Sequence, residues 1–173
     1  MHHLTKKNKV FILLSGFFIT NAVVAELIGS KLIQVGPFVM SIGVIPWPVV
    51  FIATDIINEY FGKEGVKRLT YVTVGLIIYT FILVYLAMMV HAAPFSPVQD
   101  EQFSLVFGQS LWIIVGSILA FMLSQLVDVL AFVFFKNKTS GRMLWLRSTG
   151  STAISQVIDS FVIIGVAFWL PGK

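Results

Sequence analysis

The sequence predicts an all-α, polytopic integral membrane protein, built as a bundle of five spanning helices. The chain has 173 residues, of which 57% are hydrophobic and 12% are charged, and its mean hydropathy is +0.92. A soluble domain is about a quarter charged, so this chain has too few charges to cover a globular surface. Its apolar runs are too long for soluble strands and lack the alternation of a membrane barrel, which leaves helices as the spanning element. Residues 1–173 are therefore predicted to form a single transmembrane domain.

Five apolar segments predict the five spans. We place these spans at about residues 10–28, 38–61, 66–90, 109–135 and 148–170. A crossing helix needs about 20 residues, and each segment is close to that length. Within the second segment, Pro46 and Pro48 each remove a helix donor, which predicts a kink or break near Trp47. Pro94 and Pro97 mark an external loop before the fourth span, with room for a short surface helix.

The basic residues predict the orientation of the chain. Ten of the twelve Lys and Arg residues precede the first span or lie in the connections after the second and fourth spans. Basic residues favour the cytoplasmic side, so we expect a cytoplasmic N-terminus in the cell inner (plasma) membrane. The first segment, led by Lys6, Lys7 and Lys9, resembles a signal peptide. Further apolar segments follow it, so we expect it to remain as a first anchoring helix.

Four polar side chains lie inside the apolar segments, namely Asn21, Asp55, Asp128 and Asp159. A charge at the centre of a bilayer costs about 2.5–3.5 kcal/mol on insertion scales, so such residues usually face a protein interior or a water-filled cavity. At about 1.5 Å rise per residue, all four fall between the cytoplasmic boundary and just beyond the midplane. The same count puts Glu26 near the outer face. The structural alternative is that these side chains only join neighbouring helices.

Helical spacing groups further polar residues with these four. Asp55 and Glu59 are four residues apart and Gln125 and Asp128 are three apart, so each pair shares a helix face. A third face carries a stripe of small polar residues, namely Ser151, Thr152, Ser155, Gln156 and Asp159. Three polar faces on three helices predict a lined cavity. Close packing of small residues between helices is the alternative reading of the third face.

The chemistry of these residues favours a ligand that is rich in hydrogen-bond donors. A proton or another cation would suit carboxylates, and so would a planar heterocycle, because one carboxylate can accept two N–H groups side by side. The sequence has no Cys, three scattered His and no phosphate-binding or nucleophile–base motif. We therefore expect neither an enzyme nor a cofactor. A protease using Asp128 and Asp159 as a carboxylate pair has no other support in the sequence.

Two stretches resemble a known family. The first is IPWPVVFIATDIINEYFG at residues 45–62, which is followed by Lys67 and Arg68. The second is GRMLWLRSTGSTAISQVIDSF at residues 141–161. Together they resemble the queuosine precursor transporters, also called vitamin uptake transporters. Asn21 with Lys31, and Gln125 with Asp128, also fit that family's pattern.

The resemblance implies an inner-membrane carrier that imports 7-deazaguanine bases, such as 7-cyano-7-deazaguanine, for the tRNA modification queuosine. It implies a purine-like small-molecule substrate, with no nucleic acid bound directly. In this interpretation a carboxylate accepts hydrogen bonds from the guanine-like edge, and amides complete the site. The predicted substrate-binding residues are Asn21, Asp55, Gln125, Asp128, Gln156 and Asp159. Arg147 is expected to pair with Glu59 or Asp128 as an inner gate.

Family members generally carry a sixth span, whereas this sequence predicts five. We expect a fragment or a shortened member, in which a homo-oligomer would close the open side of the bundle. Two other functions remain open on the sequence alone. One is a substrate-binding membrane subunit that needs a separate ATP-driven partner. The other is a non-transport membrane scaffold whose intramembrane polar residues only join helices.

Overall fold

Helices dominate the computed structural model, which describes residues 5–109, 111–139 and 143–169. The helices are α1 (Lys6–Ile28), α2 (Trp47–Met88), α3 (Asp100–Phe107), α4 (Leu111–Lys138) and α5 (Leu144–Ile164), with a π-helical turn at Gly165–Trp169. Three helical stretches are long and apolar enough to cross a membrane, namely Lys6–Ile28, Ile42–Met88 and Asp100–Lys138. The predicted class, an all-α membrane protein, is therefore confirmed. The short helix α3 lies in the loop where the sequence left room for one.

A β-hairpin precedes the second helix, and its second strand occupies residues that the sequence assigned to the start of the second span. Strand β1 (Leu32–Val35) pairs antiparallel with β2 (Phe38–Ser41), and Gly36 begins the two-residue loop with φ +59°. Tight hairpin loops need such a positive φ, which glycine adopts without strain. The helix predicted from residue 38 begins instead at Trp47. Pro46 and Pro48 lie at the N-cap and in the first turn, where a helix needs no donor.

Gly62 divides α2 into two arms that run in opposite directions. Its backbone has φ +75° and ψ 172°, which interrupts the helix between a first arm (47–61) and a second arm (63–88). The Phe11 ring contacts the Phe61 ring with centroids 4.9 Å apart, whereas the other end of α1 approaches Gly43. The first arm is therefore antiparallel to α1. The second arm returns alongside α1 and ends near α3.

The bundle has two chemically different ends. The basic end contains the start of α1, the Gly62 break, the end of α4 and the start of α5, and Lys7, Lys136 and Arg147 lie there around Glu59 and Phe61. The hairpin end contains β1, β2 and α3. Hydrogen bonds from Ser30 to the Val106 carbonyl and from Gln109 to the Glu26 carbonyl join the segments at that end. Lys7, Lys136 and Arg147, which are among the basic residues that predicted one membrane side, thus lie at one end of the fold.

The apolar core lies where α1, both arms of α2 and α4 meet. Its largest fully buried side chains are aromatic or β-branched, and include Phe18, Val50, Ile57, Ile77 and Phe121. Most other large apolar side chains are exposed on the outside of the bundle. A chain that faces lipid has this distribution, because hydrocarbon is as good a solvent for Leu or Ile as a protein core is.

The Gly62 break gives a direct test of the two-arm arrangement. We expect Gly62→Ala to destabilise the fold by about 1–3 kcal/mol, because its φ and ψ lie in a region that only glycine occupies readily. Gly75→Ala is the matched control. That glycine is helical, a Cβ there would contact nothing within 4 Å, and alanine favours a helix by about 1 kcal/mol. Unfolding midpoints in detergent should fall for the first variant only; a fall for Gly75→Ala alone would contradict the assignment.

Candidate functional site

A cluster of buried polar side chains lies where the first arm of α2 contacts α4 and α5. On each helix its members are adjacent or recur after three or four residues, so that each helix turns one polar face inward. We call this set the polar cluster: Thr54, Asp55 and Asn58 of α2, Gln125 and Asp128 of α4, and Arg147, Ser148, Ser151, Thr152 and Ser155 of α5. All but Ser148 and Thr152 are buried.

Asp128 is the most deeply buried carboxyl group of the cluster, with 0% of its surface exposed. Its Oδ1 accepts long hydrogen bonds from the hydroxyls of Thr152, at 3.5 Å, and Ser155, at 3.4 Å. Its Oδ2 has no hydrogen-bond partner within the described parts of the chain. One oxygen of a fully buried carboxyl group is thus left available for a ligand.

Asp55 faces the same space from the first arm of α2. The Ser148 hydroxyl donates a hydrogen bond to its Oδ2, while Oδ1 is buried and unpaired among the residues described. The Ser148 hydroxyl that bonds Asp55 and the Thr152 and Ser155 hydroxyls that bond Asp128 lie on one face of α5. The helices therefore bring the two acidic groups together against the same face of α5, in the interior of the bundle.

Two amide side chains supply donors beside these acceptors. The Oε1 of Gln125 accepts a hydrogen bond from the Thr54 hydroxyl at 3.3 Å, and this side chain is 1% exposed. The Nε2 of Gln125 and the Nδ2 of Asn58 are buried, and neither has a partner in the described part of the structure. Buried amide groups are almost always paired in folded proteins. Two unpaired donors beside two unpaired acceptors make this cluster a candidate binding site.

An ion-pair group closes the cluster at the basic end. Arg147, 3% exposed, donates to Glu59 Oε2 at 3.3 Å, and Lys136 donates to the same oxygen at 2.9 Å. The Arg147 guanidinium also lies 5.2 Å from the centre of the Phe132 ring. Of the two partners predicted for Arg147, the structure thus brings Glu59 into contact with it. We call Glu59, Lys136 and Arg147 the ion-pair group.

Aromatic rings lie one helical turn from the amide and carboxyl groups. Trp47 stacks on Phe51 at a centroid distance of 5.9 Å, with 29° between the ring planes, and contacts Phe121 at 5.5 Å. Phe51 precedes Asp55 by four residues, and Phe121 precedes Gln125 by four. These rings therefore form a wall on the side of the polar cluster that faces the hairpin end.

The other predicted binding residues lie outside these contacts. The Asn21 amide donates to the Phe17 carbonyl of its own helix at 2.8 Å. Gln156 is half-buried on α5, and half-buried Asp159 lies beside Ser124, one turn closer to the hairpin end than Asp128. The structure thus brings together Asp55, Gln125 and Asp128, and it leaves the remaining three at the periphery.

Sequence reasoning missed several participants. Thr54 and Lys136 gave no signal in the sequence, and Asn58 was noticed beside Asp55 but was not assigned to the site. Glu26, which was predicted near the outer face, is only 9% exposed and lies close to Ser117 and Asp159. Its depth at the hairpin end agrees with the prediction, but its burial was not predicted, because counting along a helix gives the depth of a residue and not which neighbours cover it.

Eight of the ten side chains of the polar cluster are buried. An open groove of about 570 Å³ lies apart from the cluster, between α1 and the second arm, and is lined by residues such as Phe11, Ser15, Phe61 and Arg68. Within the described segments, no three His, Cys, Asp or Glu side chains converge as a metal centre. The arrangement suits a small polar molecule that offers both N–H groups and an acceptor oxygen.

Comparison with known proteins gives one family and several relatives. The family model described as "Putative vitamin uptake transporter" matches residues 41–172. A "Probable queuosine precursor transporter" of Bacillus subtilis (strain 168) is 29% identical over 147 residues, which is 84% of this chain and 64% of the relative. The "Queuosine precursor transporter" of Escherichia coli (strain K12) is 27% identical over 128 residues, covering 73% of this chain and 54% of the relative.

The chain thus spans between about half and two thirds of the length of these curated relatives. A further relative from Haemophilus influenzae, named "Probable queuosine precursor transporter", is 24% identical over 131 residues. No solved structure matches the chain.

Proposed function

Because the chain belongs to the vitamin uptake transporter family, we propose that it carries a 7-deazaguanine base, a precursor of queuosine, across the cell inner membrane. The names of its relatives in three bacteria support this substrate. The observation that carries the proposal is the set of unpaired polar atoms in the polar cluster. Asp55 Oδ1 and Asp128 Oδ2 are free acceptors, and Gln125 Nε2 and Asn58 Nδ2 are free donors, within the described residues.

A guanine-like base complements this set. Its ring N–H and its amino group are neighbouring donors, which suit a carboxyl oxygen of Asp55 or Asp128. Its carbonyl oxygen is an acceptor, which suits the amide of Gln125 or Asn58. Each buried group without a partner costs about 1–3 kcal/mol, so a ligand that pairs all of them gains affinity and selectivity together. The wall formed by Trp47, Phe51 and Phe121 supplies a ring face for stacking.

The ion-pair group acts as the inner gate in this mechanism. Release of the base toward the basic end requires Glu59 to separate from Arg147, since their contact closes the cluster on that side. Asp159, Asn21 and Gln156 remain predicted contacts for the base along the approach from the hairpin end. In this mechanism the basic end faces the cytoplasm, so the N-terminus is cytoplasmic. The two arms of α2 are separate spans, so the chain crosses the membrane five times. An oligomer would cover any open side of this bundle.

Queuosine in cellular tRNA tests the proposed function. The host is a strain that cannot make the precursor and has no importer for it, supplied with external 7-cyano-7-deazaguanine. We expect this chain to restore queuosine in tRNA, measured by mass spectrometry of digested nucleosides. The matched variants are Asp55→Asn in the polar cluster, which should abolish the signal, and Asp100→Asn in the loop at the hairpin end, which should keep it. No restoration by a chain found in the membrane fraction would contradict the proposed function.

A further inference from the structure

The charges around the polar cluster do not balance. Asp55, Asp128 and Glu59 are acidic, whereas Arg147 and Lys136 are the basic side chains in contact with them. If every group were ionised, these five side chains would carry one excess negative charge. An unpaired buried charge costs several kcal/mol, so a protein interior does not keep one without a counterion or a proton.

Among the described residues, the helices packed around Asp55 and Asp128 bring no positive charge to them beyond Arg147 and Lys136. From α5, Asp128 meets the hydroxyls of Ser151, Thr152 and Ser155, which are neutral. From α2 it meets Asp55, whose own neighbours are Ser148 and Arg147. Toward the hairpin end the next titratable groups are Asp159 and Glu26, which are also acidic. These outer carboxyl groups increase the negative excess rather than reduce it.

The unpaired atoms favour a proton over a metal ion as the missing positive charge. Besides Asp55 Oδ1 and Asp128 Oδ2, the unpaired atoms in the described cluster are the N–H donors of Asn58, Gln125 and Arg147. A sodium ion needs a shell of oxygen ligands, and N–H groups would repel it. A protonated carboxyl group needs no such shell, because its O–H can donate to the neighbouring carboxylate or to the carbonyl of a base.

We propose that Asp55 and Asp128 share one proton, and that this proton crosses the membrane with each base, so that the chain is a proton-coupled importer. This inference rests on the proposed function and adds its energy source. The proton binds the pair from the side on which the base enters. It leaves to water after the ion-pair group opens. No covalent bond forms or breaks other than the O–H bond of the carboxyl group.

Transport into liposomes separates this inference from the proposed function. The first arm is counterflow, in which purified protein exchanges labelled 7-cyano-7-deazaguanine for unlabelled base without any ion gradient. The second arm imposes an outside pH one unit lower, with the membrane potential held at zero. One proton per base then predicts about tenfold accumulation, since one pH unit corresponds to about 1.4 kcal/mol.

Each result has a defined meaning. Counterflow together with about tenfold acid-driven accumulation supports the inference. Counterflow without accumulation in the pH gradient, or accumulation driven by a sodium gradient instead, overturns the proton coupling but does not contradict the carrier function. Absence of counterflow from protein that remains folded overturns both the function and the inference built on it.

Infrared spectroscopy locates the proton without requiring transport. A protonated carboxyl group has a C=O band that a carboxylate lacks, and the purified wild-type protein should show it at pH 7. Asp128→Asn should weaken that band by the contribution of about one carboxyl group. Without Asp128, the two acidic groups Asp55 and Glu59 balance the two basic groups Arg147 and Lys136, so the cluster needs no proton. Asp100→Asn, outside the polar cluster, should keep it. An unchanged band in both Asp128→Asn and Asp55→Asn would overturn the assignment to this pair.

Discussion

Arg147→Ala should have the largest effect on stability of any single substitution in the polar cluster, a loss of about 3–5 kcal/mol. Arg147 is 3% exposed and lies between Glu59, which it contacts, and Asp55, which it influences electrostatically. Lys136 still pairs with Glu59 when Arg147 is removed, but buried Asp55 loses its basic neighbour, and a stranded buried charge costs far more than the pair itself is worth. We expect the unfolding midpoint of the purified protein in detergent to fall and the yield from membranes to drop.

The Glu64–Lys67 pair provides the control for this substitution. Those side chains are 3.7 Å apart and well exposed, so Lys67→Ala should cost less than about 1 kcal/mol. A double variant, Asp55→Asn with Arg147→Met, should recover much of the lost stability because it removes the stranded charge as well. Equal unfolding midpoints for Arg147→Ala and Lys67→Ala would mean that Arg147 does not stabilise the buried acidic groups.

Gln125→Met should lower transport strongly at little cost to the fold. The Nε2 of Gln125 is one of the unpaired buried donors within the described residues, so removing it relieves the folded protein of an unsatisfied group. The Thr54 hydroxyl that bonds Gln125 also donates to the Val50 carbonyl at 2.9 Å and therefore keeps a partner. We expect uptake of the base to fall by about 10–100-fold, the usual effect of losing one buried hydrogen bond to a substrate, while the unfolding midpoint is unchanged or rises.

Gln34→Met is the matched control for Gln125→Met. Gln34 is exposed in the β-hairpin, where its amide donates to the Gly36 carbonyl, and it lies far along the chain from the polar cluster. Its replacement should leave uptake within about twofold of wild type. If folded Gln125→Met protein transports the base normally, the amide has no role in binding the base.

The apolar runs of the sequence predicted the helices well, because burial in lipid demands long uninterrupted segments. Pro46 and Pro48 predicted a break near Trp47, and the structure begins a helix there. The β-hairpin before it was not predicted. Its strands are as apolar as a spanning helix, so hydropathy does not separate the two, and only the Gly36-Pro37 pair hinted at a turn.

The candidate site was predicted in part. Depth along the helices brought Asp55, Gln125 and Asp128 to a common level, and the structure joins them in one cluster. Their neighbours depend on how each helix is rotated about its axis. A helix that is apolar on most sides carries little information about rotation, so Asn21 and Gln156 could not be separated from the cluster by sequence alone. Lys136 reached Glu59 only because α4 extends to Lys138, beyond its predicted end.

Binding of two related bases to the purified protein tests the central claim most directly. The claim is that carboxyl oxygens of Asp55 and Asp128 accept hydrogen bonds from the guanine-like edge of the substrate. The measurement is the equilibrium affinity for 7-cyano-7-deazaguanine and for its analogue without the 2-amino group. We expect the analogue to bind at least about tenfold more weakly, because a buried carboxyl oxygen then loses its partner. Equal affinities for the two bases would contradict this account of the site.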